Sequence, residues 1–525
     1  MRVITTIALA VFAVELLRTA WVCDDSYITF RTADNIVHGF GPVWNTTERV
    51  QGFTHPLWLA VFTGAYAITS EAYYTAISLG VLLSLGAMLF LSRRIARTPW
   101  SLVLASVVLV SSKAWVDFST SGLENPLSHV LVLVFLWCWW NDQTDHVRLR
   151  RLALVASLVM LTRIDLGLLV GPALAVEVWR VGPAAAWRPL AIGFAPFAAW
   201  ELFSVFYYAS LVPNTAYAKL NVSMSEGEAL AKGLAYFKRT AIADPATLPA
   251  MLIAVAATVW TRWRRDWPLV AGLIISLAYV LWIGGDFMAG RFFTVPLIWC
   301  AALLAVTVSW SARVSAILTT TVLVIGLTAP WEPALLSGIG YARVDNRLRG
   351  RLERAPRDGG LLITINEITD VRRYYYEGTG LLKGRLGDRR PDDPGVDDGV
   401  ALRASGRQVV LRDGIGFTGY FAGPQPHIVD VFALTDPLLA RLPAIPGSRI
   451  GHFRRDIPAG YLESLEQNTV RIDDPDLADY YTTLRFAVSG PLFDARRAVT
   501  AVGLATGRYN ASLRRYVSRG RPRDE

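Results

Sequence analysis

Two adjacent carboxylates, Asp24 and Asp25, stand where the first apolar run of the chain (3–22) ends, in the sequence Cys23-Asp24-Asp25-Ser26-Tyr27. A carboxylate at a membrane boundary keeps its charge at modest cost and can still face a substrate lying half in lipid. Side by side, two of them raise one proton affinity, which suits a general base. The plainer reading is a pair of solvated acids capping the helix that follows. Other ionisable residues recur at the ends of later apolar runs. Arg163, Lys219 and Arg291 are the cations best placed to hold a phosphate, arginine through a planar fork and lysine as a point charge. Asp286, five residues before Arg291, can orient it or bind sugar hydroxyls. His55 and Trp58 lie where the first polar loop returns to apolar sequence, and an indole is a natural stacking surface for a sugar. Each has a structural alternative. Arg291 would snorkel to headgroups, Arg163 with Asp165 would brace a broken helix, and Lys219 would sit solvated in a loop. His55 and Glu124 would serve the helix starts at Pro56 and Pro126. Taken together, the set matches glycosyl transfer from a lipid phosphate, which needs a base, cations at the departing phosphate and a groove for the tail.

The elements that must position these residues are mostly apolar helices. The chain has 525 residues, 53% of them hydrophobic and 18% charged, with a mean hydropathy of +0.35. That composition excludes an ordinary soluble protein and points to a polytopic membrane protein. Runs of spanning length are read at 3–22, 72–92, 99–117, 125–141, 152–166, 168–180, 189–210, 246–261, 268–284, 292–310 and 314–330. The run 57–69 is short for a span and reads as an interfacial helix within a first external loop, 23–71. Arginine clusters at 93–97, 148–151, 180–188 and 262–265 then all fall on the cytoplasmic side, giving about eleven spans, the N-terminus inside and the C-terminus outside. This topology puts 119–126, 162–165, 212–219 and 284–291 on the outer face with the first loop, so one face collects the candidate chemistry.

Residues 1–330 therefore read as a catalytic membrane domain. Residues 331–525 read as an extracytoplasmic mixed α/β domain, with strands expected at 360–365 and 408–411, an exposed loop at 392–399 and a disordered arginine-rich tail at 514–525. The net charge of +9 fits arginine anchoring to anionic lipid better than nucleic-acid binding. Metal-ligand spacings and glycine-rich nucleotide loops are absent from the sequence, so no metal site is expected, no cofactor is assigned, and a divalent-cation requirement is left open. Internal repeats, which a transporter or flippase of lipid-linked sugar would carry, are not apparent.

The motif Tyr27-Ile28-Thr29-Phe30-Arg31 after the acidic pair, with Val50-Gln51-Gly52-Phe53-Thr54-His55-Pro56-Leu57-Trp58, resembles the GT-C superfamily of polyprenyl-phosphate-dependent glycosyltransferases. Within it the chain is similar to actinobacterial terminal β-(1→2)-arabinofuranosyltransferases of cell-wall arabinan synthesis. Further matching stretches are Ser121-Gly122-Leu123-Glu124-Asn125-Pro126, Pro213-Asn214-Thr215-Ala216-Tyr217-Ala218-Lys219, 284–293, 436–443 and 451–458. The resemblance implies decaprenyl-phosphoryl-arabinofuranose as donor, the non-reducing end of an arabinan as acceptor, and an external active site under the first loop. It implies an essential Asp of the 24–25 pair, with His55, Trp58, Glu124, Asn214 and Asp286 toward sugar and acceptor, and an outer domain that binds glycan. Alternatives within the fold are another polyprenyl-phosphate sugar or a surface-protein acceptor such as pilin. A β-linked product from a β-configured donor requires net retention, and the sequence does not choose between Asp24 and Asp25 or between nucleophile and base.

Overall fold

The computed structural model describes every residue except 142–144, 221–223, 308–310, 330–332, 339–363, 366, 384–389 and 521–525. The chain is mainly helical and folds as two compact units. One holds Met1–Cys23, Glu71–Phe197 and Ser225–Asp392; the other holds Asp24–Ser70, Ala198–Met224 and Asp393–Glu525.

The first unit is a helical bundle around one large apolar core, in which the helix running from Thr294 to Val306 is buried along its whole length. Two helices among the described residues are long and apolar enough to cross a membrane, Ala72–Ile95 and Thr247–Trp282. Arg2–Thr19 with Asp24–Val37, and Pro183–Gly193 with Ala195–Tyr208, meet the same test only as pairs. The expected turn between 246–261 and 268–284 is instead helical: Thr247–Trp282 continues through Arg262, Arg264, Arg265 and Pro268. Arg262 reaches Asp266, one turn on, at 2.6 Å, and the buried Asp266 also accepts from the indoles of Trp139 and Trp140 at 3.1 Å each. This pairing lets charged residues stay on a helix in place of a solvated loop. By contrast, the expected break near Arg163 is present, between Asp145–Thr162 and the short turn Ile164–Leu166. Helices approach closely at glycines. A Cβ at Gly272 would overlap the Leu169 carbonyl, and one at Gly193 would overlap Ala153.

A buried ion network closes the end of the first helix within this unit. Lys113 pairs with Asp117 and, at 3.1 Å, with Asp370; Arg372 pairs with Asp117 at 2.5 Å. The Trp21 indole donates to the Asp117 carbonyl at 2.7 Å, and the Cys23 amide to the Ser121 carbonyl at 2.9 Å. The chain immediately before the acidic pair is thereby held by backbone and indole bonds.

In the second unit, strand Val409–Arg412 pairs in parallel with His427–Asp430, Val409 opposite His427, and helix Gly416–Ala422 lies between them in sequence. The strand expected at 408–411 is thus present. Of 360–365, only Thr364–Ile365 lies among the described residues, as a strand of the first unit paired antiparallel with Ile368–Thr369. Asp-Pro steps open helices here. Asp393 and Asp474 each accept amide bonds ahead of Pro394 and Pro475, the N-cap chemistry that leaves first-turn N–H groups satisfied. For that reason 394–399, expected as a loop, begins helix Pro394–Ser405. The tail is likewise helical over Asn510–Gly520, where Arg515 and Arg519 meet Asp474 and Asp476 at 2.7–2.8 Å; 521–525 lie outside the described residues.

Arg31 fixes the middle of this unit. It is buried and donates to the carbonyls of Trp44 at 2.9 Å, Gly419 at 2.9 Å and Pro426 at 3.0 Å, with its guanidinium 4.2 Å from the Trp44 ring. Arg31→Met keeps the volume and strands three buried carbonyls. It is expected to cost about 3 kcal/mol or more and to lower the midpoint of thermal unfolding in detergent, whereas Arg485→Met on the same unit's surface should leave it nearly unchanged.

Candidate active site

Of the ten candidate residues, four lie in the first unit and six in the second. In the first unit, the turn preceding helix Asn125–Trp140 presents Glu124, which is 1% exposed. Arg291 donates to both its oxygens, at 3.0 and 3.3 Å, and an Arg163 nitrogen stands 3.9 Å away. Arg163 also forms a two-pronged bond to Asp165 at 3.1 and 2.7 Å, and its guanidinium lies 4.4 Å from the Phe292 ring. Asp286 approaches Arg291 at 3.9 Å. Four candidates far apart in sequence, Glu124, Arg163, Asp286 and Arg291, are therefore neighbours.

Local sequence explains the placement. Gly284, Gly285 and Gly290 all hold positive φ, at 83°, 78° and 79°. Conformations of this kind strain any residue with a Cβ, and one at Gly285 would stand 2.6 Å from the Tyr236 ring. Tyr236 was not foreseen. Its hydroxyl donates to the Met288 carbonyl and accepts from the Phe292 amide, both at 3.1 Å, which clamps the turn carrying Arg291. Two guanidiniums among three carboxylates form a networked site in which an incoming phosphate would share arginine N–H groups with Glu124 and Asp165.

In the second unit, Asp24 and Asp25 occupy the first turn of helix Asp24–Val37, where the helix dipole favours negative charge. Both are half-buried. The Phe417 amide donates to an Asp24 oxygen at 2.6 Å. Gly416 passes so close that a Cβ would overlap the Asp24 main chain. Burial, followed by the charge of Asp25, pushes the Asp24 carboxyl up to about 7 against the lowering effect of the Phe417 amide. A carboxylate with that affinity is matched to accepting a proton near neutral pH. The Gly416–Phe417 contact escaped the sequence reading; the glycines at 414 and 416 were its only local signal.

The remaining candidates of this unit are placed separately. His55 precedes helix Pro56–Thr69 and meets the Thr29 hydroxyl through Nε2 at 2.8 Å. Trp58 is 1% exposed and packs 6.3 Å from Phe62. Asn214 donates to the carbonyls of Ala433, Leu434 and Asp436 at 3.0, 3.2 and 3.0 Å, bracing that turn. Lys219 is exposed on the short helix Asn214–Leu220. A cavity of about 600 Å³ in this unit is lined by Glu48, Arg403, Arg407, His427, Tyr481 and Arg485, among others. No group of three or more His, Cys, Asp or Glu among the described residues is arranged to hold a metal ion.

No family model matches the chain. A curated protein of Mycobacterium tuberculosis named terminal β-(1→2)-arabinofuranosyltransferase is 27% identical, the match covering 83% of this chain and 81% of the relative. The chain is similar to terminal arabinofuranosyltransferases. A protein of the same name from Corynebacterium glutamicum is also 27% identical, over 82% of this chain and 72% of its own. The resemblance read from the sequence is borne out by these two relatives. Among solved structures, ArnT from Cupriavidus metallidurans bound to undecaprenyl phosphate aligns over 81% of this chain and 85% of its own, with a TM-score of 0.46 and 14% identity.

The Glu124–Arg291 contact makes a specific energetic prediction. Arg291→Gln alone leaves the Glu124 carboxylate short of its nearest cation, a change that costs about 3–5 kcal/mol for a buried pair. The double variant Glu124→Gln, Arg291→Gln should be more stable than Arg291→Gln alone. Thermal unfolding of the wild type, the two single variants and the double variant measures this coupling; strict additivity would show that the two side chains do not interact.

Proposed function

We propose that this chain is a membrane glycosyltransferase that moves arabinofuranose from a polyprenyl-phosphate donor, decaprenyl-phosphoryl-arabinofuranose, to the non-reducing end of a cell-envelope arabinan, forming a terminal β-(1→2) linkage. The observation that carries this reading is the match to two curated relatives of that name across about four-fifths of this chain. The raised proton affinity of Asp24 and, separately, the pairing of Arg163 and Arg291 with Glu124 are consistent with it. Asp24, with its proton affinity raised to about 7, takes up the acceptor hydroxyl proton, and Asp25 acts on it by charge. Arg291 and Arg163 stabilise the departing phosphate, Glu124 and Asp286 hold their forks in place, and Lys219 supplies a further cation. His55, Trp58 and Asn214 shape the surroundings of the sugar and acceptor. In this reading the enzyme lies in the plasma membrane with its site facing outward. Residues 331–525 lie outside the membrane and contribute glycan binding at the cavity beside His427 and Tyr481.

The test is transfer from synthetic polyprenyl-phosphoryl-arabinofuranose to a short arabinan, followed by mass spectrometry. Wild type should add pentose, and Asp24→Asn should reduce the rate by a factor of about 100 or more. A well-folded wild type that transfers only another sugar, or only to protein, would redirect the assignment.

The pH profile separates the two acids. A base works as the carboxylate, so the rate should rise with pH and level off above about 7, the value to which Asp24 is pushed. Asp25→Asn removes the repulsion that is the second cause of that rise. Its profile should keep the same shape with the acidic limb moved to lower pH. An unmoved limb would exclude Asp24 as the titrating base.

A further inference from the structure

The first unit has a second place suited to a phosphate, at the opposite end of one of the helices that carry the first. Helix Asp145–Thr162 ends next to Arg163. At its start, His146 and Arg150 line a cavity of about 470 Å³ together with Trp187, Arg188 and Ile192 of helix Pro183–Gly193. Arg150 and Arg163 are 13 residues apart, so the two arginine-bearing places stand about 20 Å apart along the helix direction.

The cations at this end differ in what they meet. Arg148 and Arg180 converge on the buried Glu177, at 2.7 and 3.4 Å. Arg150 and Arg188 are exposed and have no carboxylate partner among the described residues, and Asp145, in the same turn as His146, does not line the cavity. Arg188 lies 5.2 Å from the ring of Trp187, which is 59% exposed, and Ile192 is 58% exposed. An exposed indole and aliphatic side chain beside two guanidiniums with no carboxylate partner among the described residues suit the level where headgroups give way to acyl chains. The walls are fixed, because the two helices meet at Gly193, where any side chain would overlap Ala153.

We propose that this notch binds the phosphate headgroup of an anionic phospholipid, with Arg150 and Arg188 on the phosphate, His146 at its rim, and Trp187 and Ile192 against the glycerol and upper acyl chain. The site is separate from the donor site and does not rest on the sugar assigned above.

The protein is reconstituted in phosphatidylcholine nanodiscs carrying graded fractions of phosphatidylglycerol, and retained lipids are counted by native mass spectrometry. Wild type should retain phosphatidylglycerol preferentially. Arg150→Gln, Arg188→Gln should weaken retention roughly fivefold for each arginine lost, while Arg93→Gln, Arg94→Gln, which alters another basic cluster, should not. Ala185→Glu is a second probe. It adds an acid to the first turn of helix Pro183–Gly193, where the dipole tolerates it, and should neutralise the notch and lower retention. Equal retention by wild type and the 150/188 variant, equal loss in the 93/94 variant, or release of the lipid by inorganic phosphate alone would each overturn the proposal. Arabinosyl transfer by the 150/188 variant in detergent should match wild type, so failure of the lipid site and failure of the proposed reaction are read separately.

Discussion

Ion pairs buried among apolar helices shape the first unit. Glu124 is held by Arg291 and faced by Arg163. Asp117 joins Lys113 and Arg372, Glu177 joins Arg148 and Arg180, and Asp266 takes Arg262 with two indoles. Breaking one such pair leaves the survivor uncompensated in a medium of low polarity, which costs far more than losing an exposed pair. Each network also joins segments distant in the chain, so the helices cannot slide past one another without uncovering a charge. The turn bearing Arg291 is built for this demand, with three glycines at positive φ and Tyr236 bonded to Met288 and Phe292 on either side of it.

The second unit meets its buried charges differently, with main-chain dipoles. Arg31, Arg455 and Arg497 each spread their guanidinium N–H groups over carbonyl oxygens. Asp430 receives the amides of Phe432, Leu434 and Thr435, and Asp436 those of Leu438 and Leu439. Asp24 has the Phe417 amide and a like charge next to it. Burial, followed by the charge of Asp25, raises its proton affinity.

The sequence made some of this legible. Acids at a helix start and a break at Arg163 follow from local rules on charge and helix ends, and the structure has both. The strand near 409 was visible as a short alternating stretch, Gln408-Val409-Val410-Leu411. The helical continuity through 262–267 was not, because an arginine cluster between apolar runs reads as a solvated turn until Asp266 and the two indoles are brought to it. The helices over 394–405 and 510–520 were hidden by composition, since Gly, Asp and Arg score as loop until an N-cap or an ion pair is in place. Asn214 read as a motif residue, and the structure shows it bracing 433–436.

By itself the sequence determined the membrane character, the mainly helical fold and the residue types available for chemistry, because these depend on hydropathy, propensity and local charge. Tertiary structure decided which of those residues meet. Glu124, Arg163, Asp286 and Arg291 are spread over 168 positions and come together only when the helices pack. The Phe417 amide reaches Asp24 across 393 positions. Proton affinity and ion pairing depend on burial and on distances of a few ångströms, and a linear pattern fixes neither.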